Sequence, residues 1–273
     1  MSQFEQKQNN NELKVETIEG PMGSELSFCS ERGGIVTSIK LKGKEILYLD
    51  EATLKNPEVN VKGGIPILFP NAGLISEGLD RGNLQNLKQH GFARNEKWNT
   101  RVTDASFHEV LTSNQKTKEV YPYNFELMMD VFLNQNNSFS IIQRVKNLEK
   151  DKVMPISSGL HPYFKVPSEE KKNIKFNFKG GEIVANQIDK WAEGEAVFID
   201  NPNKPIEVYI PGLGTFMFTA SKEYKKFVFW SQKDKDYICI EVFMEDIDGI
   251  IKNPTIIKPG QKNIATLNVM LKE

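Results

Sequence analysis

Four short segments of this 273-residue chain gather residue types suited to acid–base chemistry on a small polar ligand. The first is Gly159-Leu160-His161-Pro162-Tyr163-Phe164. A residue ahead of proline is driven toward extended backbone, so His161 sits on a preset chain with apolar and aromatic neighbours around its ring. Two readings stand: a satisfied core histidine, or a shielded acid–base group that titrates near neutrality. The second segment runs from Tyr237 to Met244. Read as a strand, it puts Tyr237, Cys239, Glu241 and Phe243 on one face and Ile238, Ile240, Val242 and Met244 on the other. Both faces are apolar, so Glu241 is a carboxylate among hydrophobic side chains, where desolvation raises a carboxyl pKa. It is a functional group, half of a buried salt bridge, or a residue facing water from an edge strand.

The third segment, Gln89 to Trp98, places His90, Arg94 and Trp98 close together. Hydrogen-bonding groups beside an aromatic surface suit a sugar, although a capping histidine and a surface arginine fit the same residues. The fourth is Lys62-Gly63-Gly64-Ile65-Pro66-Ile67-Leu68-Phe69-Pro70. Its prolines remove ladder donors and argue against a central strand, and its glycine spacing fits neither a phosphate loop nor a dinucleotide fingerprint. It is either a rigid buried loop or one that brings backbone to a ligand, with Lys62 at its edge. His108, in Ser106-Phe107-His108-Glu109, has no such context and is assigned to the surface.

The elements that must position these residues are mostly strands, because the apolar period is 2 rather than 3.6. Strands are expected at Glu25–Ser30, at Ile35–Leu41 and Glu45–Tyr48 as a hairpin, and at Phe125–Leu133 and Phe139–Lys146 around an Asn134–Asn137 loop. Further runs lie at Ile174–Phe178, Ile206–Ile210, Thr215–Ala220, Lys226–Trp230, Tyr237–Phe243 and Ala265–Leu271. Glu51–Asn56 and Lys165–Lys172 are expected to form short helical pieces. Many strands separated by turns imply an all-β sandwich or barrel. No linker divides the chain, so residues 1–273 are expected to form one domain, with 1–12 a loosely ordered polar N-terminus.

Lys plus Arg number 35 and Asp plus Glu 36, for a net charge of −1. That balance argues against nucleic-acid and membrane-surface partners and leaves an anionic small ligand open. The two cysteines, Cys29 and Cys239, form no CxxC pair and no Cys/His cluster in sequence, which argues against a disulfide framework and a zinc site. Both are expected to be buried free thiols. The polar start and the lack of any apolar run of ~18 residues lead to the expectation of a soluble, cytoplasmic protein.

Taken together, GGIPILFP at 63–70, HGFARNEKW at 90–98, GLHPYF at 159–164, IDK at 188–190 and YICIE at 237–241 resemble the aldose 1-epimerase superfamily. Within it, they resemble the branch of glucose-6-phosphate 1-epimerase-like proteins. The resemblance implies a galactose mutarotase-like antiparallel β-supersandwich and an isomerase that interconverts the α and β anomers of a hexose, free or 6-phosphorylated. It implies that His161 is the general acid toward the ring oxygen and Glu241 the general base toward the C1 hydroxyl. His90 and Asp189 would bind sugar hydroxyls, and Arg94 would lie at the rim. Lys62 stands where phosphosugar relatives usually have Arg, and Val242-Phe243 follow Glu241 where the family often has Pro-Trp. No metal or organic cofactor is implied; the expected partner is a small-molecule sugar substrate, and the protein is expected to be a monomer or weak homodimer. The alternative is a non-catalytic carbohydrate-binding or regulatory protein on the same fold.

Overall fold

The ten residues of Ser138–Asn147 alternate strictly between half-exposed and buried, as a strand does with one face in the core and one in water. In the computed structural model, which describes residues 13–187 and 195–272, this strand lies within an eight-stranded antiparallel sheet. From one edge to the other the order is Lys175–Asn177, Ile206–Ile210, Gly214–Ala220, Lys262–Leu271, Ser138–Asn147, Phe125–Asn134, Ser106–Thr112 and Asn99–Thr103. The Phe125–Asn134 and Ser138–Asn147 hairpin turns through Asn136 and Asn137, both in left-handed backbone that asparagine tolerates. The expected N-terminal segment 1–12 and the IDK segment with Asp189 lie outside the described residues.

Tyr237–Phe243 is buried along its whole length and forms the middle of a second sheet. Lys226–Trp230 pairs with it on one side and is followed by Val197–Asp200. Gly159–Leu160 and Tyr163–Lys165 pair on its other side, and Ile67–Leu68 lies beyond Gly159–Leu160. The even-numbered residues Ile238, Ile240, Val242 and Met244 enter the main core with Phe216 and Phe218 of the larger sheet. Phe164 meets Phe218 edge-on at 5.3 Å across this layer. On the opposite face, Tyr237 and Cys239 join Tyr163, with Tyr48 and Trp230 packed against them. The parity expected from the sequence therefore holds. One face builds the core and the other is free to build a site.

A smaller four-stranded sheet, Glu16–Glu19, Glu25–Cys29, Ile35–Leu41 and Lys44–Glu45, flanks the loop that begins at Gly63. Among the described residues helices are few and short. Glu51–Lys55 is an α-helix whose first turn is capped by Asp50, which accepts from the Ala52 and Thr53 amides. The second helical expectation needs correction: Lys165 ends a strand, and a 3-10 turn begins only at Ser168. Pro167 forces the intervening chain to stay extended. Cys29 and Cys239 are buried free thiols, as expected. Among the described residues no helix is long and apolar enough to cross a membrane.

Candidate active site

The glycine–proline segment is buried from Gly63 to Pro70 and hydrogen-bonds to both neighbouring parts of the site. The Pro66 carbonyl accepts from the His161 amide at 3.1 Å, and the Phe69 carbonyl accepts from the Phe92 and Ala93 amides at 2.9 and 3.3 Å. The two readings of this segment thus merge. Its backbone is a rigid spacer between the site's two histidine-bearing loops, and only Lys62 at its start is exposed.

His161 reaches the site through a break in a ladder. Leu160 faces Val242 and Tyr163 faces Cys239, so the same register, carried across the two residues between, sets His161 opposite Glu241. Pro162 cannot donate to the ladder, but its carbonyl accepts from the Ile240 amide at 3.2 Å and keeps the strands together. The side chains meet, with His161 Nε2 and Glu241 Oε2 3.3 Å apart. His161 is 6% exposed and Glu241 2%. Their contact lacks hydrogen-bond alignment, which leaves Glu241 Oε2 buried without a partner, and the other ring nitrogen, His161 Nδ1, is buried without one as well. Buried polar atoms are normally satisfied, so this pair retains unused capacity for a ligand.

His90 and Gly91 both take positive φ, 66° and 64°, and this turn aims the His90 ring at His161. The two rings meet edge-on with centroids 5.5 Å apart. His90 Nδ1 pairs with the Ala72 carbonyl; a carbonyl can only accept, so Nδ1 carries the proton and Nε2 remains an acceptor. Arg94 is half-buried, and its Nε has no partner. Its charge lowers the Glu241 carboxyl against the effect of burial, so it lies within electrostatic reach of the pair. The aromatic expectation shifts. Trp98 is 2% exposed and donates Nε1–H to the Ala93 carbonyl, so it pins the loop.

The aromatic surface comes from elsewhere. Tyr163 stacks on His161 at 4.7 Å and 11°, and Trp230 meets the same ring edge-on at 6.1 Å. Lys62 Nζ lies 5.8 Å from the Trp230 ring centre. Tyr163 could have been found from its i+2 spacing to His161 on extended backbone. Trp230 could not, because its place depends on pairing with Cys239 across the sheet. His108 is only partly at the surface: its Nδ1 lies 2.6 Å from Asp130 Oδ1, on the large sheet rather than the one that carries Glu241.

Burial sets the electrostatics. It pushes the Glu241 carboxyl well above the usual carboxylate range, with Arg94 opposing the shift. Burial also holds His161 well below the usual histidine range, helped by the fields of His90, Arg94 and Lys62. His90 is lowered to about 4, mainly by burial and then by Arg94. Both members of the pair therefore favour their uncharged forms, a neutral imidazole beside a protonated carboxyl.

The family model described as aldose 1-epimerase matches residues 17–204, a span that includes His90, Arg94 and His161 and ends before Glu241. A protein of Cenchrus ciliaris, provisionally named glucose-6-phosphate 1-epimerase, is 25% identical over 266 residues, 84% of this chain and 76% of the relative. The chromosomal protein LacX of Lactococcus lactis subsp. lactis is 33% identical over 168 residues, and the match takes in 58% of this chain and 54% of LacX. Among solved structures, the Slr1438 protein of Synechocystis sp. PCC 6803 superposes with a TM-score of 0.82 at 26% identity, covering 95% of this chain and 96% of that one. A galactose mutarotase related enzyme of Lactobacillus acidophilus superposes at 0.74 and 23% identity over 95% and 98% of the two chains, a likeness of fold.

Proposed function

The chain belongs to the aldose 1-epimerase family, and on that premise we propose that it interconverts the α and β anomers of a hexose by acid–base ring opening. The observation that carries this reading is the buried His161–Glu241 pair at 3.3 Å, with an unpartnered polar atom on each side chain. In the resting pair the proton lies on Glu241. The hydroxyl donors of an entering sugar, together with Arg94, favour the carboxylate, and the proton passes to His161. His161 then protonates the ring oxygen as the C1–O bond breaks, while Glu241 takes the C1 hydroxyl proton. Rotation about C1–C2 of the open aldehyde and the reverse transfers give the other anomer. The pair ends with the proton it began with, as a freely reversible reaction requires.

His90 supplies an acceptor at Nε2 for a sugar hydroxyl, and Tyr163 and Trp230 offer faces for its C–H groups. Asp189 is proposed as a further hydroxyl contact from the resemblance alone. The substrate is a free or 6-phosphorylated hexose, and exposed Lys62 beside Trp230 is the cation placed to meet a phosphate. Exchange between α and β signals measured by NMR tests this for glucose, galactose and their 6-phosphates. At least one hexose is expected to exchange faster than its spontaneous rate in buffer. Binding without acceleration on any of the four would instead make the chain a carbohydrate-binding protein.

A further inference from the structure

We infer that His161, Cys239 and Glu241 also form a site for Zn2+, and that the bound ion shuts out the sugar. The spacing of cysteines along the chain argues against a zinc site; the fold assembles one from two strands. Cys239 lies two residues before Glu241 and shares its face, and the segment bearing His161, between Leu160 and Tyr163, runs alongside. One donor atom from each of the three lies within 4.8 Å of the other two, and all three side chains are buried. Nitrogen, thiolate and carboxylate are the donors that zinc takes. Bonds of ~2.0–2.3 Å in a tetrahedron put ligand atoms ~3.4 Å apart. His161 Nε2 and Glu241 Oε2, at 3.3 Å, already form one such edge. The longest separation in the trio exceeds that edge by at most about 1.4 Å, which rotation of the cysteine side chain can close.

A second observation points the same way. Glu241 Oε2 is buried and accepts no hydrogen bond, so it has a lone pair to give. Charge balance favours the complete trio. Thiolate and carboxylate together neutralise a dication, so the buried complex is neutral beside Arg94 and Lys62, whose fields reach these side chains. Binding releases the thiol and carboxyl protons to solvent, and a water holds the fourth position. The soft thiolate selects Zn2+ over Mg2+. Cys239 has no part in the proposed ring opening, which separates its role from those of its two neighbours. That zinc inhibits rests on His161 and Glu241 being the catalytic pair; that it binds does not.

The test uses the full chain stripped with a chelator. Cobalt(II) is titrated as a spectroscopic stand-in, Zn2+ affinity is measured against a chromophoric chelator, and anomer exchange is followed by NMR with Zn2+ or Mg2+ added. One equivalent of Co2+ is expected to give a thiolate-to-cobalt charge-transfer band that Zn2+ abolishes. Cys239→Ser should lose the band and keep its metal-free exchange rate. It should also bind zinc more weakly by more than the ~10–100-fold that loss of an outer-shell partner costs. Cys29→Ser should keep the band. Should Cys239→Ser fold poorly, His161→Gln provides the same readout, with loss of tight zinc binding while the thiol remains. Absence of a thiolate band, or equal zinc affinity in wild type and Cys239→Ser, overturns the site. Tight binding with undiminished exchange overturns the exclusion of sugar. A thiolate band in a chain that exchanges no hexose supports the site and removes the epimerase reading instead.

Discussion

Glu241 has an oxygen that meets no donor while only 2% of the residue is exposed, an arrangement that a purely structural carboxylate avoids. The expected signature is a site that costs stability and supplies catalysis. Glu241→Gln keeps the shape but cannot exchange the proton, and His161→Ala removes the other partner. Each is expected to lower the exchange rate by ~10²–10⁴-fold, with the urea midpoint of Glu241→Gln at neutral pH unchanged or higher. Rates within a few-fold of wild type for both variants would remove the pair from the mechanism. The two cations separate by position. Lys62 is exposed over Trp230, whereas the half-buried Arg94 reaches Glu241 through its charge. Lys62→Ala should therefore raise KM for glucose 6-phosphate and leave glucose almost untouched, more so at low salt. Arg94→Ala should lower kcat for both sugars. Equal effects of Lys62→Ala on the two sugars would exclude it from phosphate recognition.

Between residue and molecule lies the loop that presents His90. Gly91 has φ 64°, and a β-carbon there would stand 2.0 Å from the Phe69 carbonyl oxygen, a backbone atom that cannot rotate aside. Gly91→Ala must therefore displace either the His90 turn or the Gly63–Pro70 spacer that also holds His161. It is expected to lower both the exchange rate and the unfolding midpoint, beyond the ~1–2 kcal/mol of left-handed backbone strain alone. A Gly91→Ala protein with wild-type rate and midpoint would show that the spacer does not position the site. The strands at Ile206–Ile210, Lys226–Trp230 and Tyr237–Phe243 were legible in sequence because β-branched and aromatic runs end there at turn residues. Asn99–Thr103 and Ser106–Thr112 were not. NTRVT and SFHEVLT hold few apolar residues, and they are strands because Phe125–Asn134 supplies a ladder for Ser106–Thr112, which in turn pairs with Asn99–Thr103. At the site, local composition singled out His161, Glu241, His90 and Arg94. Trp230 and the pairing of Cys239 with Tyr163 depend on register between distant strands, which one dimension does not contain.

At the scale of the whole molecule, a second buried carboxyl lies where three parts of the fold meet. Glu109 points inward from the strand Ser106–Thr112 of the large sheet and is 0% exposed. A β-carbon on Gly34, in the turn before Ile35–Leu41, would stand 2.3 Å from Glu109 Oε2 and 3.1 Å from the Trp98 ring that pins the Arg94 loop. Glu109 Oε1 accepts from Thr100 at 3.2 Å, and Oε2 has no partner. Burial pushes the carboxyl from its ordinary 4.5 up to about 8, against the opposing Thr100 hydrogen bond. Between those values the folded chain keeps a proton that the unfolded chain has lost, so stability falls as pH rises through the window and levels off above it. Glu109→Gln keeps the acceptor for Thr100 and removes the titration. Urea unfolding from pH 5 to 9 should therefore show wild type losing stability by a few kcal/mol relative to the variant. Parallel curves for the two proteins would mean that Glu109 titrates alike in the folded and unfolded chains. The variant's exchange rate should stay close to wild type at pH 6, where Glu109 is already neutral, and should exceed wild type at pH 9 only if ionisation there loosens the contact between Trp98 and the Arg94 loop.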